Sequence, residues 1–161
     1  MMKLLYITNG ITGSGGLERV LSVKASLLAE KFGYEVHVLS LNETDKETFF
    51  SFSDKVKKHS IEVSGNTFQY FLKYKNGIQK KVTGISPDLI SVCDDGLKGF
   101  FLPRFISANA KWIYESHASV LLGSTDKGLP LHKKVQHELK QLLGKRFSKI
   151  VLLTEGNRKE W

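Results

Sequence analysis

Cysteine, proline and long apolar runs are scarce in this 161-residue sequence, which has one cysteine and three prolines. A single cysteine excludes an internal disulfide and suits a reducing cytoplasm, and Cys93 is predicted to be a small buried side chain rather than a nucleophile. No Cys/His cluster has metal-ligand spacing, so we expect neither a metal nor another cofactor. No apolar run approaches the roughly 18 residues of a transmembrane helix, so no membrane span is predicted.

The charge is mainly of one sign, with 24 basic and 16 acidic residues and a net charge of +8. Positions 46–81 hold eight lysines against three acids, and positions 127–149 hold seven basic residues against Glu138 alone. Such clusters could serve an anionic membrane surface or anionic substrates, or they could simply solvate helix faces. We predict no nucleic-acid partner, because no helix-turn-helix, zinc-finger or RNA-binding signature is present.

Glycine is concentrated in one place, with four glycines in positions 10–16 directly after the apolar run 3–8. This pattern predicts a strand, a tight turn and a helix start. In an open α/β sheet such a turn lies beyond the carboxyl end of a strand, where ligands bind. Glycine allows close approach of backbone N–H groups, and the following helix dipole favours an anion. We therefore predict a ligand-facing loop, with a merely sharp turn as the alternative.

Two familiar phosphate-binding loops do not fit this segment. Gly10 and Gly15 have P-loop spacing, but Gly16 and Leu17 stand where that loop needs Lys and Ser or Thr. In the dinucleotide-binding pattern, Glu18 would replace the third glycine and would repel a pyrophosphate. Hydrolysis of ATP or GTP is therefore not expected.

Hydrophobic periodicity predicts alternating strands and helices along the whole sequence. The predicted strands are 3–8, 35–41, 57–63, 88–92, 111–116 and 149–154, and the predicted helices are 17–32, 67–82 (ended by Gly84), 96–105 and 131–147. This order favours an α/β fold, a Rossmann-like doubly wound and mainly parallel sheet with helices on both faces.

Polar residues follow several strands at what would be a single edge of that sheet. His117 comes directly after the fifth strand, where an imidazole could donate to a sugar hydroxyl or bind a phosphate, or could simply bond the loop backbone. Strand alternation is expected to point Glu115 away from His117, and no Gly-x-Ser-x-Gly elbow is present. Asp94 and Asp95 are predicted to cap the next helix rather than to bind a cation.

An ordered set of segments resembles the N-terminal half of a family 4 glycosyltransferase. The resemblance rests on positions 5–10, 15–20, 87–90, 114–117 and 151–155, in consistent order over nearly the whole sequence. It implies one half of a GT-B architecture, in which two Rossmann-like domains enclose the active site.

The resemblance also implies roles for individual residues. His117 would be the catalytic residue that contacts the donor sugar near the reacting centre. The donor-phosphate and acceptor-binding set would be Gly15, Gly16, Glu18, Arg19, Ser116 and Thr154. The family transfers a sugar from a nucleotide-sugar with retention of configuration, usually without a bound metal.

Residues 1–161 would then form the acceptor-side N-terminal domain, which we expect to be inactive without a C-terminal nucleotide-sugar-binding domain. Nothing in the sequence matches the phosphate-binding Arg and Lys or the Glu-x7-Glu element of that second domain. For the full-length protein we expect a hexosyltransferase of surface polysaccharide biosynthesis, acting on a glycan or lipid-linked acceptor. We expect it in the cytoplasm, with its basic faces available to the inner face of the membrane. Two alternatives stay open, a nucleotide-sugar epimerase of the same architecture and a non-enzymatic basic binding module.

Overall fold

Six parallel strands form one sheet in the computed structural model, which describes residues 1–94, 96–117, 131–152 and 155. The elements are β1 (Lys3–Thr8), α1 (Gly16–Lys31), β2 (Glu35–Leu41), β3 (Lys57–Ile61), α2 (Thr67–Ile85), β4 (Leu89–Cys93), α3 (Leu97–Phe100), α4 (Leu102–Phe105), β5 (Lys111–Ser116), α5 (Leu131–Gly144) and β6 (Lys149–Leu152).

The strand order is β3-β2-β1-β4-β5-β6, and every neighbouring pair is parallel. The predicted Rossmann-like doubly wound fold is therefore confirmed. The chain reverses its direction of winding between β1 and β4, where Tyr6 lies opposite Val38 on one side and Ser91 on the other. In doubly wound sheets, the crevice at such a reversal is the usual ligand site.

Two apolar cores lie on the opposite faces of the sheet, because the central strands bury both sets of alternating side chains. On one face α1 packs through Leu21 and Ala25 against Tyr6 and Val38. On the other face α2, α3 and α5 pack against the alternate residues of the same strands, with Ile78, Phe100 and Leu143 among the buried side chains.

Helix α2 begins where the sequence predicts but ends later. A reciprocal capping box joins Asn66 and Gln69 at its start. The predicted stop at Gly84 is wrong, because the helix continues to Ile85 and buries that side chain in the core. Ser86 then adopts a left-handed conformation with φ of 51° and returns its N–H to the Val82 carbonyl.

The segment predicted as one helix over 96–105 forms two short helices instead. Phe101 separates α3 from α4, and Pro103 lies in the first turn of α4. Proline has no N–H to donate, so it suits the first turn of a helix but not the interior of a continuous one.

Two neighbouring histidines, on strands β2 and β3, are expected to make stability depend on pH. His37 Nδ1 lies 2.8 Å from His59 Nε2. Burial, with His37, Lys81 and Lys57 nearby, lowers the pKa of His59 from 6.5 to about 4. Because the pKa of His59 is lower in the folded protein than in the unfolded protein, the neutral ring contributes its full stabilisation above pH 6.5. This contribution is lost as the pH falls from 6.5 towards 4.

We expect the free energy of unfolding to fall by about 1 kcal/mol between pH 6.5 and 4.5, a value reduced because solvent screens the half-exposed ring. In H59N this loss should become smaller without vanishing, because burial also lowers the pKa of His37, and urea unfolding at the two pH values would measure the difference. An equal loss in wild type and variant would contradict the assignment.

Candidate active-site edge

The glycine-rich loop lies at the carboxyl edge of the sheet, between β1 and α1. Its residues Gly13, Gly15 and Gly16 are exposed, and space is open where a Cβ on Gly16 would stand. Gly15 is the N-cap of α1 and its helix start has no side-chain cap. The first N–H groups of a helix have no partner within the helix, so this end of α1 can receive an anion.

The carboxylate of Glu43 holds the first part of the loop, a contact that the sequence patterns did not reveal. Its oxygens accept the backbone N–H of Ile11 at 2.8 Å and the N–H of Thr12 at 3.2 Å. The Thr12 hydroxyl donates to the same carboxylate at 2.6 Å. Partial burial alone would raise the pKa of Glu43, but these hydrogen bonds lower it. Glu43 thus occupies two loop amides, and the open part of the loop is at Gly16, where a Cβ would meet nothing within 4 Å.

Replacing Glu43 with glutamine should loosen the loop, because a neutral amide accepts these hydrogen bonds less strongly and adds a donor facing two N–H groups. We expect a loss of about 1–2 kcal/mol in the free energy of unfolding. Hydrogen exchange at Ile11 and Thr12 should quicken more than exchange elsewhere. E47Q, at an exposed glutamate nearby in the sequence, is the matched control. Unchanged exchange at both amides would contradict this role.

Glu18 lies over the glycine loop, whereas Arg19 points outward. A Cβ added to Gly13 or Gly15 would come within 2.8 or 2.6 Å of a Glu18 carboxylate oxygen. Arg19 is exposed on the first turn of α1, and its N–H bonds the Gly15 carbonyl at 3.2 Å. The structure thus brings Gly15, Gly16, Glu18 and Arg19 together at one helix start.

A buried ionic network connects α1 to the end of β5. Glu115 receives a charge-assisted hydrogen bond from the Lys24 ammonium and another, at 2.6 Å, from the Ser91 hydroxyl. His117 Nε2 lies 3.5 Å from Glu115 Oε2, and both side chains are less than one-tenth exposed. The expectation that Glu115 points away from His117 is wrong. Side chains two positions apart along a strand lie on the same face, so the imidazole at the end of β5 is on the face that Glu115 occupies.

The network fixes the protonation state of Glu115. Burial alone would raise the pKa of Glu115. The neighbouring His117 imidazole, the Lys24 ammonium and the Ser91 hydroxyl together outweigh burial and lower this pKa to about 2. The carboxylate is therefore ionised at neutral pH, with both of its oxygens engaged. Burial raises the pKa of Tyr6, and the negative charge of Glu115 raises it further. The centre of the Tyr6 ring lies 5.0 Å from the Lys24 ammonium.

A second contact bridges the β1 and β4 loops at the point where the winding reverses. Asp94 is buried, and its Oδ1 accepts hydrogen bonds from the Asn9 side chain at 2.8 Å and from the Gly96 N–H at 2.7 Å. Asp94 thus joins two loops, although α3 itself lacks a side-chain cap. Asp95, predicted to share its role, lies outside the described residues.

The two remaining residues of the predicted set are Ser116 and Thr154. Ser116 is buried at the end of β5, and the alternation of strand side chains directs it to the face opposite Glu115. Thr154 lies outside the described residues. Cys93, Glu115 and His117 do place possible metal-ligand atoms within 4.8 Å of one another. A cation there would compete with the Lys24 ammonium for the same carboxylate.

Comparison with known proteins gives similarity to sugar-transferring and sugar-modifying enzymes. No model of a protein family matches the sequence. The amylovoran biosynthesis glycosyltransferase AmsD of Erwinia amylovora is 28% identical over 120 residues, which are 74% of this chain and 33% of AmsD. This chain therefore spans about a third of the length of that curated relative.

Two solved structures share the fold over nearly the whole chain. The apo form of the lipopolysaccharide outer core galactosyltransferase WaaB superposes with a TM-score of 0.68 and 14% identity, covering 99% of this chain and 41% of WaaB. The UDP-GlcNAc 2-epimerase from Methanocaldococcus jannaschii gives a TM-score of 0.63 and 19% identity, covering 99% and 41%. At these identities the structures show a shared fold only.

The comparisons together confirm the resemblance to the N-terminal domain of a glycosyltransferase with GT-B architecture. Membership of family 4 stays a prediction. Within the described ranges, none of the helices is both long and apolar enough to cross a bilayer.

Proposed function

We propose that this chain is the acceptor-side domain of a retaining glycosyltransferase that acts in surface polysaccharide biosynthesis. The observation that carries the proposal is the Lys24–Glu115–His117 network at the same sheet edge as the open start of α1. Similarity to AmsD, whose name specifies amylovoran biosynthesis, supports the class of pathway. A C-terminal domain would hold the nucleotide of the donor, so residues 1–161 alone should be inactive.

The residues divide into one that contacts the sugar and others that position it. His117 would hold a hydroxyl of the donor sugar, with Glu115 fixing the ring from one side. Lys24 acts through Glu115 and is a positioning residue. The N–H groups at the start of α1, near Gly15 and Gly16, would stabilise the negative charge that develops as the nucleotide diphosphate leaves.

The state of Glu115 favours attack from the leaving-group face over double displacement. A nucleophilic carboxylate must bring one of its oxygens to the anomeric carbon. Lys24 and Ser91 each engage one oxygen of Glu115, and burial restricts its movement. The carboxylate therefore serves as an acceptor for His117 rather than as a nucleophile.

A second candidate is a nucleotide-sugar epimerase, which the fold of the Methanocaldococcus jannaschii enzyme favours. Such an enzyme would use the same edge of the sheet but would need no acceptor. The two candidates differ in their products, since a transferase moves the sugar and an epimerase inverts a centre within it.

The test uses the full-length protein with a panel of nucleotide-sugars and a membrane extract that supplies acceptors. We expect one donor to lose its sugar to an acceptor, with release of the nucleotide diphosphate and retained anomeric configuration in the product. An isomerised donor without transfer would favour the epimerase. Inactivity with every donor and every extract fraction would contradict both candidates.

We place the full-length protein in the cytoplasm, with peripheral contact to the inner face of the membrane. The basis is the lysine-rich character of positions 46–81 and 127–149 in a chain of net charge +8. Cosedimentation with vesicles should then increase with their anionic lipid content. Cosedimentation that is independent of anionic lipid would remove this part of the proposal.

A further inference from the structure

We infer that an apolar groove between α2 and the α3–α4 pair binds the hydrocarbon chain of a lipid-phosphate acceptor. The inference rests on the proposed function, because it names the acceptor of that transfer. The groove has a volume of about 390 Å³, within the range of small-molecule sites. Its wall is mainly aromatic, with Phe71, Tyr74, Phe101 and Phe105 among the lining residues.

The aromatic rings form a continuous surface rather than isolated contacts. Phe71 meets Phe105 edge to face with ring centroids 5.4 Å apart, and Phe105 stacks near Phe101 at 5.7 Å. Tyr74 is buried, whereas Phe71 is 40% exposed at the mouth. The polar side chains of the lining are Tyr74 and two lysines, so the groove offers little hydrogen bonding to a nucleobase or sugar. A hydrocarbon chain needs none.

Two lysines give the groove positive charge for a phosphate headgroup, although the Lys98 ammonium also donates to the Tyr70 hydroxyl at 3.1 Å and lies 3.9 Å from Asp94. Lys75 and Lys98 line the groove, and the Lys98 ammonium lies 5.3 Å from the centre of the Tyr74 ring. Lysine can extend its apolar stem along such a wall while its ammonium stays in water. An occupant with an apolar tail and an anionic head therefore satisfies both parts of the lining.

The groove begins beside the proposed active-site edge. Helix α3 starts directly after β4, so Lys98 lies in its first turn at the carboxyl end of the sheet. The Lys98 ammonium is 3.9 Å from Asp94, whose other oxygen binds the Asn9 side chain of the β1 loop. A lipid tail in the groove would place its phosphate end at the loops that carry the transfer.

The test measures binding of decyl phosphate, below its micelle concentration, to the 161-residue chain and to the full-length protein by calorimetry. Each buried methylene contributes about fourfold in affinity, so hexyl phosphate should bind at least tenfold more weakly. Inorganic phosphate, which has the head alone, should not bind measurably. Equal affinity for hexyl and decyl phosphate, or no binding of decyl phosphate by either protein, would overturn the inference.

Matched variants of α2 separate the groove from the helix surface. F71S should weaken decyl phosphate binding about tenfold, while F68S, at a position 70% exposed and outside the lining, should leave it unchanged. K75M should weaken it several-fold and K73M should not. L97W fills the groove without removing apolar surface, so it should also weaken decyl phosphate binding. It provides a second variant if F71S unfolds. Equal losses in F68S and F71S would indicate docking of the helix face on a membrane or partner and would overturn the inference.

The two proposals fail in different ways. If the full-length protein transfers sugar but its affinity for alkyl phosphates does not depend on chain length, the lipid-binding role of the groove is overturned and the transferase proposal stands. Chain-length-dependent binding with no transfer would remove the transferase, and the groove would then bind a lipid-phosphate in some other role.

Discussion

Replacement of Lys24 with methionine is expected to lower the free energy of unfolding by about 2 kcal/mol. The change keeps the apolar stem that packs near Tyr6 but leaves the Glu115 carboxylate buried without its cation. Removing one partner of a fully buried ion pair costs roughly 3–5 kcal/mol, and we expect less here because the Lys24 side chain is 33% exposed. Urea unfolding at pH 7 measures the difference.

Replacement of the other partner, Glu115, should lower the free energy of unfolding by less. This difference between the two variants makes the prediction specific to the ion pair. E115Q leaves a lysine that can reach water, so we expect a loss of about 1 kcal/mol. The double variant should be more stable than the sum of the two losses implies. Strict additivity would contradict a direct Lys24–Glu115 interaction.

The same pair predicts an acid transition. In wild type the pKa of Glu115 lies near 2, below its unfolded value of 4.5, so its contribution is present above pH 4.5 and is lost as the pH falls towards 2. In K24M we expect the pKa of Glu115 to rise, which moves this loss to higher pH.

Replacement of His117 with alanine in the full-length protein should lower kcat/KM about 100-fold, the cost of a lost hydrogen bond of about 2.7 kcal/mol in the transition state. Because the imidazole is buried beside Glu115, the change should also lower the thermal stability, so rates are compared well below the unfolding temperature of the variant. Initial rates with a fixed acceptor and varied donor provide the measurement. H59N is the control, because β3 is separated from β5 by β2, β1 and β4.

Glu115 should affect the rate through His117. E115Q is therefore expected to lower kcat more than it raises the donor KM and to shift the pH–rate profile, because the partner of the imidazole is no longer charged. Full activity of H117A would remove the proposed role of His117. An E115Q enzyme with an unchanged pH profile would remove the positioning role of Glu115.

The sequence predicted most of the fold because its strands and helices differ clearly in periodicity. Strands β1, β2 and β5 have the predicted bounds, since polar or glycine residues follow each apolar run. The end of α2 was missed because Gly84 suggests a stop on local grounds. Burial of Ile85, a tertiary effect, outweighs that local preference and extends the helix.

The site was only partly predictable for a related reason. The glycine loop and His117 follow strands directly, so their position at the sheet edge follows from topology. Lys24 and Glu43 reach the site from the middle of α1 and from the loop after β2. One signal for Lys24 was present, because it lies on the helix face of the buried Leu21. Only packing against β5 shows which carboxylate it neutralises.

A structure of the full-length protein with a bound nucleotide-sugar would show whether this edge of the sheet holds the donor. We expect the donor phosphates to lie at the start of α1 beside Gly15 and Gly16, with a sugar hydroxyl within hydrogen-bond distance of His117. We also expect Lys24 still to bind Glu115 in the complex. A donor that binds away from this edge of the sheet, or a sugar that makes no contact with His117, would contradict the proposed function.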